Sequence, residues 1–341
     1  MSTDFIRHFR SQPQHRWYSP LLVVVLTAVF YGVGLIIQFG GFLVWALIVI
    51  DGGNGDFDSL AETMVDFNTL NGIVNGLITV ILMWPAAELA TRIVYRRWFW
   101  SMISVGRGPS YSGAVGRGLR WGLLGRYMLL GLPVWGIAAV VLIVFSPGAM
   151  GDLTSGVQWD GRVAAMLVAV FLLVPFQAAA EEVIFRGLAM NVIGSWLKHP
   201  AWAVLIPVPF FVFGHLYDLP GLIDVGIFAV IVGVLTLYTN GLEVGMAFHI
   251  VNNIFALGLG VLSGADMNAT SGPAIETVIS ISVPIVFAVL VVLDTRRRQR
   301  TEESREERGN RKANQQTNSD LPTTTRVCTV GRAHDHREPR A

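Results

Sequence analysis

Charged side chains are scarce in this chain of 341 residues, and they are unevenly placed. They account for 14% of the residues, whereas a soluble protein has about 25%. Of the 25 Lys and Arg residues, 12 lie from Arg296 onward, and none lies between Lys198 and Arg296. This composition predicts a polytopic membrane protein with a charged tail. It excludes a soluble enzyme, a nucleic-acid-binding domain and a fibrous protein.

Cysteine is nearly absent, and two common hydrolase motifs are missing. The single cysteine, Cys328, lies in the polar tail, which excludes an intramolecular disulfide and a metal site built from cysteines. Neither G-x-S-x-G nor H-E-x-x-H occurs, so the sequence supports neither a serine hydrolase nor a zincin.

Long apolar runs make up most of the remaining chain. Because a membrane helix needs about 20 apolar residues, they predict an all-α bundle of about eight transmembrane helices. The predicted spans are Leu21–Ile50, Gly72–Val94, Gly122–Phe145, Val163 to the glutamates at 181–182, Ala201–Leu216, Gly221–Tyr238, Val244–Leu262 and Val278–Leu293. The fifth and sixth of these are short, and the Leu219-Pro220-Gly221 turn separates them.

The apolar pattern also divides the chain into five regions. Residues 1–20 form an N-terminal segment, and residues 21–160 hold the first three helices and their loops. A core follows at 161–265, then a last helix at 266–295. Residues 296–341 are rich in Glu, Arg, Asn, Thr and Gln, which predicts a disordered cytoplasmic tail.

Basic and acidic loops alternate along the chain. Arginines precede the first span, follow the second and follow the last, whereas aspartates and glutamates fill the loops between. The positive-inside rule then places both termini in the cytoplasm. We expect a multi-pass protein of a bacterial plasma membrane, with the lipid bilayer as its first partner.

Two adjacent glutamates and an arginine end the fourth predicted span. Glu181 and Glu182 follow a run without charge from Val163 to Ala180, and an ionisable group at membrane depth costs about 2.5–3.5 kcal/mol or more. On a helix, Arg186 is one turn from Glu182 and can pair with it, whereas Glu181 points about 100° away. One glutamate is then structural and the other is available for chemistry.

Two histidines lie inside the apolar body, and the other five lie in polar termini or loops. His215 ends the fifth predicted span. His249 lies in the seventh, one helical turn from Asn253. A glutamate can activate a water molecule, and His and Asn side chains can donate hydrogen bonds to an oxyanion. Together these side chains are typical of a hydrolytic site.

These motifs resemble those of the CPBP family of intramembrane proteases, which includes CAAX proteases and is also called the Abi family. The three motifs, in this order on successive membrane helices, are EExxxR (Glu181, Glu182, Arg186), FxxxH (Phe211, His215) and HxxxN (His249, Asn253). The resemblance covers about residues 163–262 and implies an endopeptidase similar to the type II CAAX prenyl endopeptidases, acting near the cytoplasmic face.

The resemblance also implies a role for each residue. Glu181 and His215 would activate the attacking water, His249 and Asn253 would stabilise the oxyanion, and Arg186 would hold the glutamate pair. The family's dependence on metal is disputed. Glu181, His215 and His249 would be the ligands of a Zn²⁺ cofactor if one is bound, and the rival mechanism uses the glutamate without metal.

The expected partners are a peptide or a membrane-associated protein as substrate, and no nucleic acid. Two other functions remain open at this point. One is a non-catalytic membrane scaffold or bacteriocin-immunity protein of the same fold. The other is a transporter or proton relay that uses Glu181 and His215, although the halves of the chain show no convincing internal repeat.

Overall fold

The structure is a computed structural model that describes residues 5–53, 56–102, 118–146, 153, 157, 159–270 and 274–319. All regular elements in these ranges are helical, as the sequence predicts. The α-helices are α1 (Ser19–Asp51), α2 (Phe57–Val65), α3 (Leu70–Ile81), α4 (Met83–Tyr95), α5 (Trp121–Phe145), α6 (Gly161–Glu182), α7 (Met190–Trp196), α8 (Pro200–Leu205), α9 (Pro207–Phe213), α10 (Leu219–Thr239), α11 (Glu243–Ser263) and α12 (Ala274–Ser319). Two 3₁₀ turns cover Phe5–Arg7 and Phe99–Met102, and a π-helix covers Val183–Ala189.

Among the described residues, seven helical stretches are long and apolar enough to cross a membrane. They are Ser19–Asp51, Leu70–Tyr95, Trp121–Phe145, Gly161–Trp196, Leu219–Thr239, Glu243–Ser263 and Ala274–Thr301. The protein is therefore a multi-pass membrane protein, and seven of the eight predicted spans coincide with these helices.

The fifth predicted span differs from the others because it is a broken pair of short helices, α8 and α9. The apolar stretch Pro200–Phe213 has fewer than 18 residues, whereas a bilayer core needs about 20. Pro200 and Pro207 each stand at the start of a helix, where a missing backbone N–H costs nothing. The prolines therefore start two short helices instead of continuing one.

Side-chain contacts mark one end of the bundle, which we call the Asp66 end. Asn268 donates a hydrogen bond to Asp66, and Asn68 donates one to Asp266, each at 2.7 Å. The backbone N–H of Asp218 donates to the carbonyl of Thr270. This end therefore holds the loop before α3, the start of α10 and the loop that follows α11.

The opposite end, which we call the Arg120 end, is closed by a partly buried ion pair. The guanidinium of Arg120 donates from Nε and Nη2 to the two carboxylate oxygens of Glu243, at 2.9 and 2.6 Å, and Nη2 also donates to the carbonyl of Thr239. Glu243 is fully buried. This pair fixes the start of α11 against the end of α10 and the start of α5.

The N-terminal segment also packs at the Arg120 end. Phe5, Ile6 and Phe9 are fully buried, and the ring of Phe9 lies 4.7 Å from that of Tyr95 at the end of α4. A Cβ atom on Gly194 of α7 would lie 2.3 Å from the carbonyl oxygen of Ile6, so only glycine permits this approach. Part of the N-terminal segment is thus packed into the core.

Residue contacts divide the chain into a larger unit, Met1–Val291, and a smaller one, Val292–Ala341. In the smaller unit, α12 continues to Ser319, which differs from the disordered tail expected from residue 296. Glu, Arg, Lys, Ala and Gln are good helix formers, and a helix that is already nucleated extends at little cost. Residues 320–341, with Cys328, lie outside the described residues, as does the basic loop at 103–117.

We predict that Arg120→Ala lowers the free energy of unfolding by about 3 kcal/mol, because it leaves the buried carboxylate of Glu243 without its partner. Chemical denaturation of the detergent-solubilised protein measures this change. The control is Arg10→Ala at an exposed arginine. Equal stability of Arg120→Ala and the control would contradict the assignment of this pair as the lock of the Arg120 end.

A pH-dependent loss of the N-terminal packing is a second expectation. Burial, with a smaller contribution from the charge of Arg97, lowers the pKa of His8 from 6.5 to about 4. The released segment binds a proton near pH 6.5 whereas the packed one resists it, so packing loses stability as the pH falls from about 6.5 towards 4. The protection factors of residues 5–12, in which the intrinsic pH dependence of amide exchange is corrected for, should therefore fall at pH 5 relative to pH 7 in the wild type. In His8→Leu they should not, and an equal response of both proteins would rule out His8 as the cause.

Candidate active site

Glu182 is the centre of a buried polar cluster. Its Oε1 atom accepts hydrogen bonds from Nη1 of Arg186, at 2.9 Å, and from Nδ1 of His249, at 2.8 Å. The residue is fully buried. The pairing of Glu182 with Arg186 predicted from the sequence is present, and the structure adds His249 from α11 to it.

Close packing between helices holds this carboxylate in place. A Cβ atom on Gly245 would lie 2.8 Å from Oε2 of Glu182 and 2.8 Å from Cγ1 of Val232. Glycine therefore lets α11 approach the end of α6. The backbone changes from α to π directly after Glu182, and π segments are frequent at functional sites.

Aromatic rings support Arg186 on its other side. Its guanidinium lies 4.4 Å from the ring centroid of Phe211 and 5.7 Å from that of Phe228, and Nη2 donates a weak hydrogen bond of 3.4 Å to the carbonyl of Ala229. Cation–π contacts of this kind contribute about 0.5–2 kcal/mol. Phe211 of the FxxxH motif thus packs on the arginine of the EExxxR motif.

Glu181 lies beside the cluster with one carboxylate oxygen less engaged than the other. Oε1 accepts a hydrogen bond from Nε2 of Gln177 at 2.8 Å. Oε2 lies 3.4 Å from Nε2 of His249 and has no hydrogen-bond partner among the described residues. Glu181 is 8% exposed. The ring of His249 therefore lies between the two carboxylates, with one nitrogen towards each.

Gln177 is a member of the cluster that the sequence reasoning missed. It donates to Glu181, and its Oε1 accepts a hydrogen bond of 3.0 Å from Nδ2 of Asn253. The available signal was its position: it is a buried polar residue one turn before Glu181, in a stretch that the sequence analysis treated only as free of charge. Through Gln177, the asparagine of HxxxN is connected to the glutamate of EExxxR.

His215 lies next to the cluster but outside its hydrogen bonds. Within the described part of the chain, no hydrogen bond or ion pair joins it to Glu181. Its Nδ1 atom donates to the carbonyl of Phe211 at 2.8 Å, which leaves Nε2 as an acceptor. Its ring centroid lies 4.9 Å from that of Phe211, and the Phe211 ring lies 6.3 Å from that of His249. Phe211 is therefore a neighbour of both histidine rings.

The side chains present do not fit the zinc site considered from the sequence. Nδ1 of His249 is occupied by Glu182, and Nε2 faces Glu181. In the ranges that the structure describes, no three His, Cys, Asp or Glu side chains are grouped so that they would hold a metal ion. Glu181, His215 and His249 are therefore not arranged as a His₂Glu set.

The side chains that neighbour His215 in the sequence are exposed. Phe213 is 80% exposed, Leu216 is 88% exposed and Tyr217 is 49% exposed. The cluster itself lies close to the Arg120 end, because Gly245 is in the first turn of α11. A substrate segment that reaches Glu181 would pass the short helices α8 and α9.

We predict that Gly245→Ala damages the site, because the added methyl group would displace the Glu182 carboxylate. Overpacking of this kind costs about 1–3 kcal/mol, measured as the free energy of unfolding. Gly258→Ala is the matched control, since a Cβ atom at this position on the same helix meets nothing within 4 Å. If both variants were as stable as the wild type, the close approach at Gly245 would be irrelevant.

Comparisons with known proteins agree with the motif resemblance. Residues 162–255 match the model of a family described as "Type II CAAX prenyl endopeptidase Rce1-like". No curated protein and no solved structure matches the chain. The matched range contains every residue of the polar cluster and lies inside the predicted core at 161–265. Over this part of its length, the chain is similar to the Rce1-like type II CAAX prenyl endopeptidases, which supports an intramembrane peptidase function.

Proposed function

We propose that the protein is an intramembrane endopeptidase that hydrolyses a peptide bond near the cytoplasmic membrane face with a water molecule activated by Glu181. One observation carries the proposal. A nearly buried glutamate has one oxygen without a hydrogen-bond partner among the described residues, and this oxygen faces a histidine that a second glutamate holds. A carboxylate in this setting is suited to accept a proton from water.

The count of charges in the cluster supports one additional proton beside Glu181. Glu181 and Glu182 bring two negative charges and Arg186 brings one positive charge, which leaves one uncompensated negative charge in a buried cluster. A buried unpaired charge is costly. A proton on Nε2 of His249, which faces Oε2 of Glu181, would neutralise the cluster and leave the Glu181 carboxylate ionised to act as the base.

The proposed reaction proceeds through a tetrahedral intermediate. Glu181 takes a proton from water, and the water oxygen bonds to the carbonyl carbon of the substrate. The C–N bond then breaks, and the proton passes from Glu181 to the leaving amine. The free Nε2 atom of His215 would orient the water, in keeping with the role that the resemblance implies.

His249 and Asn253 are the proposed donors to the oxyanion. Asn253 uses one hydrogen of its amide on Gln177 and keeps a second one. Protonated His249 donates from Nδ1 to Glu182 and keeps Nε2–H for the substrate oxygen. Losing a donor of this type costs about 2.7–4 kcal/mol in the transition state.

Glu182 and Arg186 have a positioning role in this scheme. Glu182 fixes the tautomer and orientation of His249 through Nδ1. The aspartate of a Ser-His-Asp triad holds its histidine in the same way. Arg186 compensates its charge and is itself held by Phe211. No step is assigned to a metal, because the donor set does not fit one.

The distribution of charged residues at the two ends supports the cytoplasmic location. The arginine-rich end of α4 lies with the N-terminal segment, and the acidic residues Asp66 and Asp266 lie at the opposite end. The positive-inside rule would place the Arg120 end, and with it the cluster, towards the cytoplasm. The proposed substrate is a peptide or membrane-associated protein, and a prenylated CAAX protein is the substrate type of the matched family.

A non-catalytic scaffold or immunity protein is the second candidate. The fold of such a protein would need the contacts of Glu182 with Arg186 and His249. It would not need the Glu181 oxygen that lacks a hydrogen-bond partner among the described residues. Both candidate functions therefore require Glu182, whereas only the peptidase requires Glu181.

We predict that Glu181→Gln abolishes peptide cleavage, with a loss of at least about 100-fold in kcat/KM, while the protein remains folded. The assay is cleavage of a quenched membrane-peptide library by purified protein in lipid. Glu62→Gln, at an exposed glutamate of α2, is the matched control. Cleavage by wild type and control alone supports the proposal. Cleavage by Glu181→Gln at the wild-type rate excludes Glu181 as the base, and absence of cleavage by all three folded proteins favours the scaffold.

A further inference from the structure

Tyr217 lies beside His215, and neither the motifs nor the proposed function assigns it a role. Its ring centroid lies 5.8 Å from that of His215. It is half-exposed, in the loop between α9 and α10. It is therefore an exposed polar side chain beside His215, the residue proposed to orient the attacking water.

The start of α10 holds Tyr217 in place. A Cβ atom on Gly221 would lie 2.7 Å from Cβ of Tyr217, so the first turn of the helix packs directly under the tyrosine. Asp218 caps that turn by accepting a hydrogen bond of 3.1 Å from the backbone N–H of Gly221. The backbone of Asp218 is in turn tied to Thr270. Tyr217 thus belongs to a fixed turn rather than to a loose loop.

The phenol lies within electrostatic reach of two carboxylates. Burial raises the pKa of Tyr217, and the negative charges of Glu181 and Asp224 raise it further. Glu181 ends α6 and Asp224 lies in the second turn of α10, so the phenol is near acids from two helices. Its hydroxyl remains protonated and available as a donor over the whole physiological range.

The hydrogen bonds of the cluster leave room for such a donor. Nδ1 of His249 is used by Glu182, and one amide hydrogen of Asn253 is used by Gln177, so each of these two proposed donors has a single N–H left for the substrate oxygen. In the described residues, the Tyr217 hydroxyl makes no hydrogen bond with the protein. The Tyr217 hydroxyl, beside His215, is therefore an O–H group without a hydrogen-bond partner among the described residues.

We propose that the hydroxyl of Tyr217 is a further donor of this site, which holds the carbonyl oxygen of the scissile bond and stabilises the oxyanion formed from it. This inference rests on the proposed peptidase function and deepens it. No atom is transferred to or from Tyr217. The phenol keeps its proton and donates a hydrogen bond, which strengthens as negative charge develops on the carbonyl oxygen of the substrate.

The first test is independent of catalysis. 3-Fluorotyrosine at position 217 reports the pKa of its phenol by ¹⁹F NMR of the full-length protein in lipid. Because a negative charge nearby disfavours the phenolate, Glu181→Gln should lower this pKa, whereas the control Glu62→Gln should not. An unchanged pKa in Glu181→Gln would place the hydroxyl away from the site and overturn the inference.

The second test separates chemistry from binding. Tyr217→Phe keeps the ring against His215 and removes only the oxygen, so folding and thermal stability should stay close to those of the wild type. We expect kcat to fall roughly 100-fold, as for the loss of one oxyanion donor, while KM changes by less than about threefold. Tyr238→Phe, at the far end of α10, is the matched control and should keep the wild-type kcat.

The outcomes separate the inference from the function on which it rests. If wild type and Tyr238→Phe cleave the substrate and Tyr217→Phe cleaves it equally fast, the inference is wrong and the peptidase proposal stands. If the wild type cleaves nothing, the peptidase proposal fails and the inference fails with it. A loss of kcat confined to Tyr217→Phe supports both.

Discussion

The cost of burying the Glu182 carboxylate governs the structure around the site. A fully buried carboxylate without partners costs several kcal/mol, and this one receives hydrogen bonds from Arg186 and His249. The arginine needs its own environment, which the ring of Phe211 supplies. Glycine at position 245 is needed because the second carboxylate oxygen lies against α11. Residues of all three motifs therefore help to compensate the charge of one buried carboxylate. They can do so only when α6, α9 and α11 pack together.

The two ends of the bundle then determine access to Glu181. At the Arg120 end, the Arg120–Glu243 pair fixes α11 just before His249, and the ring of Phe99 packs against Gly187, next to Arg186. This end is closed by buried side chains in the part of the chain that is described. Beside His215, the short helix α9 ends at the exposed Phe213, and the exposed Leu216 follows it. In the proposed function, a substrate in the bilayer approaches laterally, past His215 and Tyr217.

The sequence predicted those parts of the cluster that depend on residue type and helical spacing. It did not predict the contacts that depend on how the helices pack against one another. Glu182 and Arg186 could be paired from helical spacing alone, and the match to the Rce1-like family agrees with the three motifs. Spacing could not show that His249 would lie between the glutamates, because that depends on how α11 approaches α6. Gln177 was missed since a single neutral polar residue in a membrane helix carries little signal. The break at Pro207 and the packing of Phe5 and Phe9 depend on tertiary contacts in the same way.

The most direct test of this account is a double-mutant cycle between Glu182 and His249, measured as the free energy of unfolding in lipid or detergent. The variants are Glu182→Gln, His249→Gln and the double substitution. If one buried hydrogen-bonded pair holds α6 to α11, the single losses are not additive, and the coupling energy is about 1–3 kcal/mol. Additive losses would contradict the account, because Glu182 and His249 would then be stabilised independently and the motifs would not form a single site.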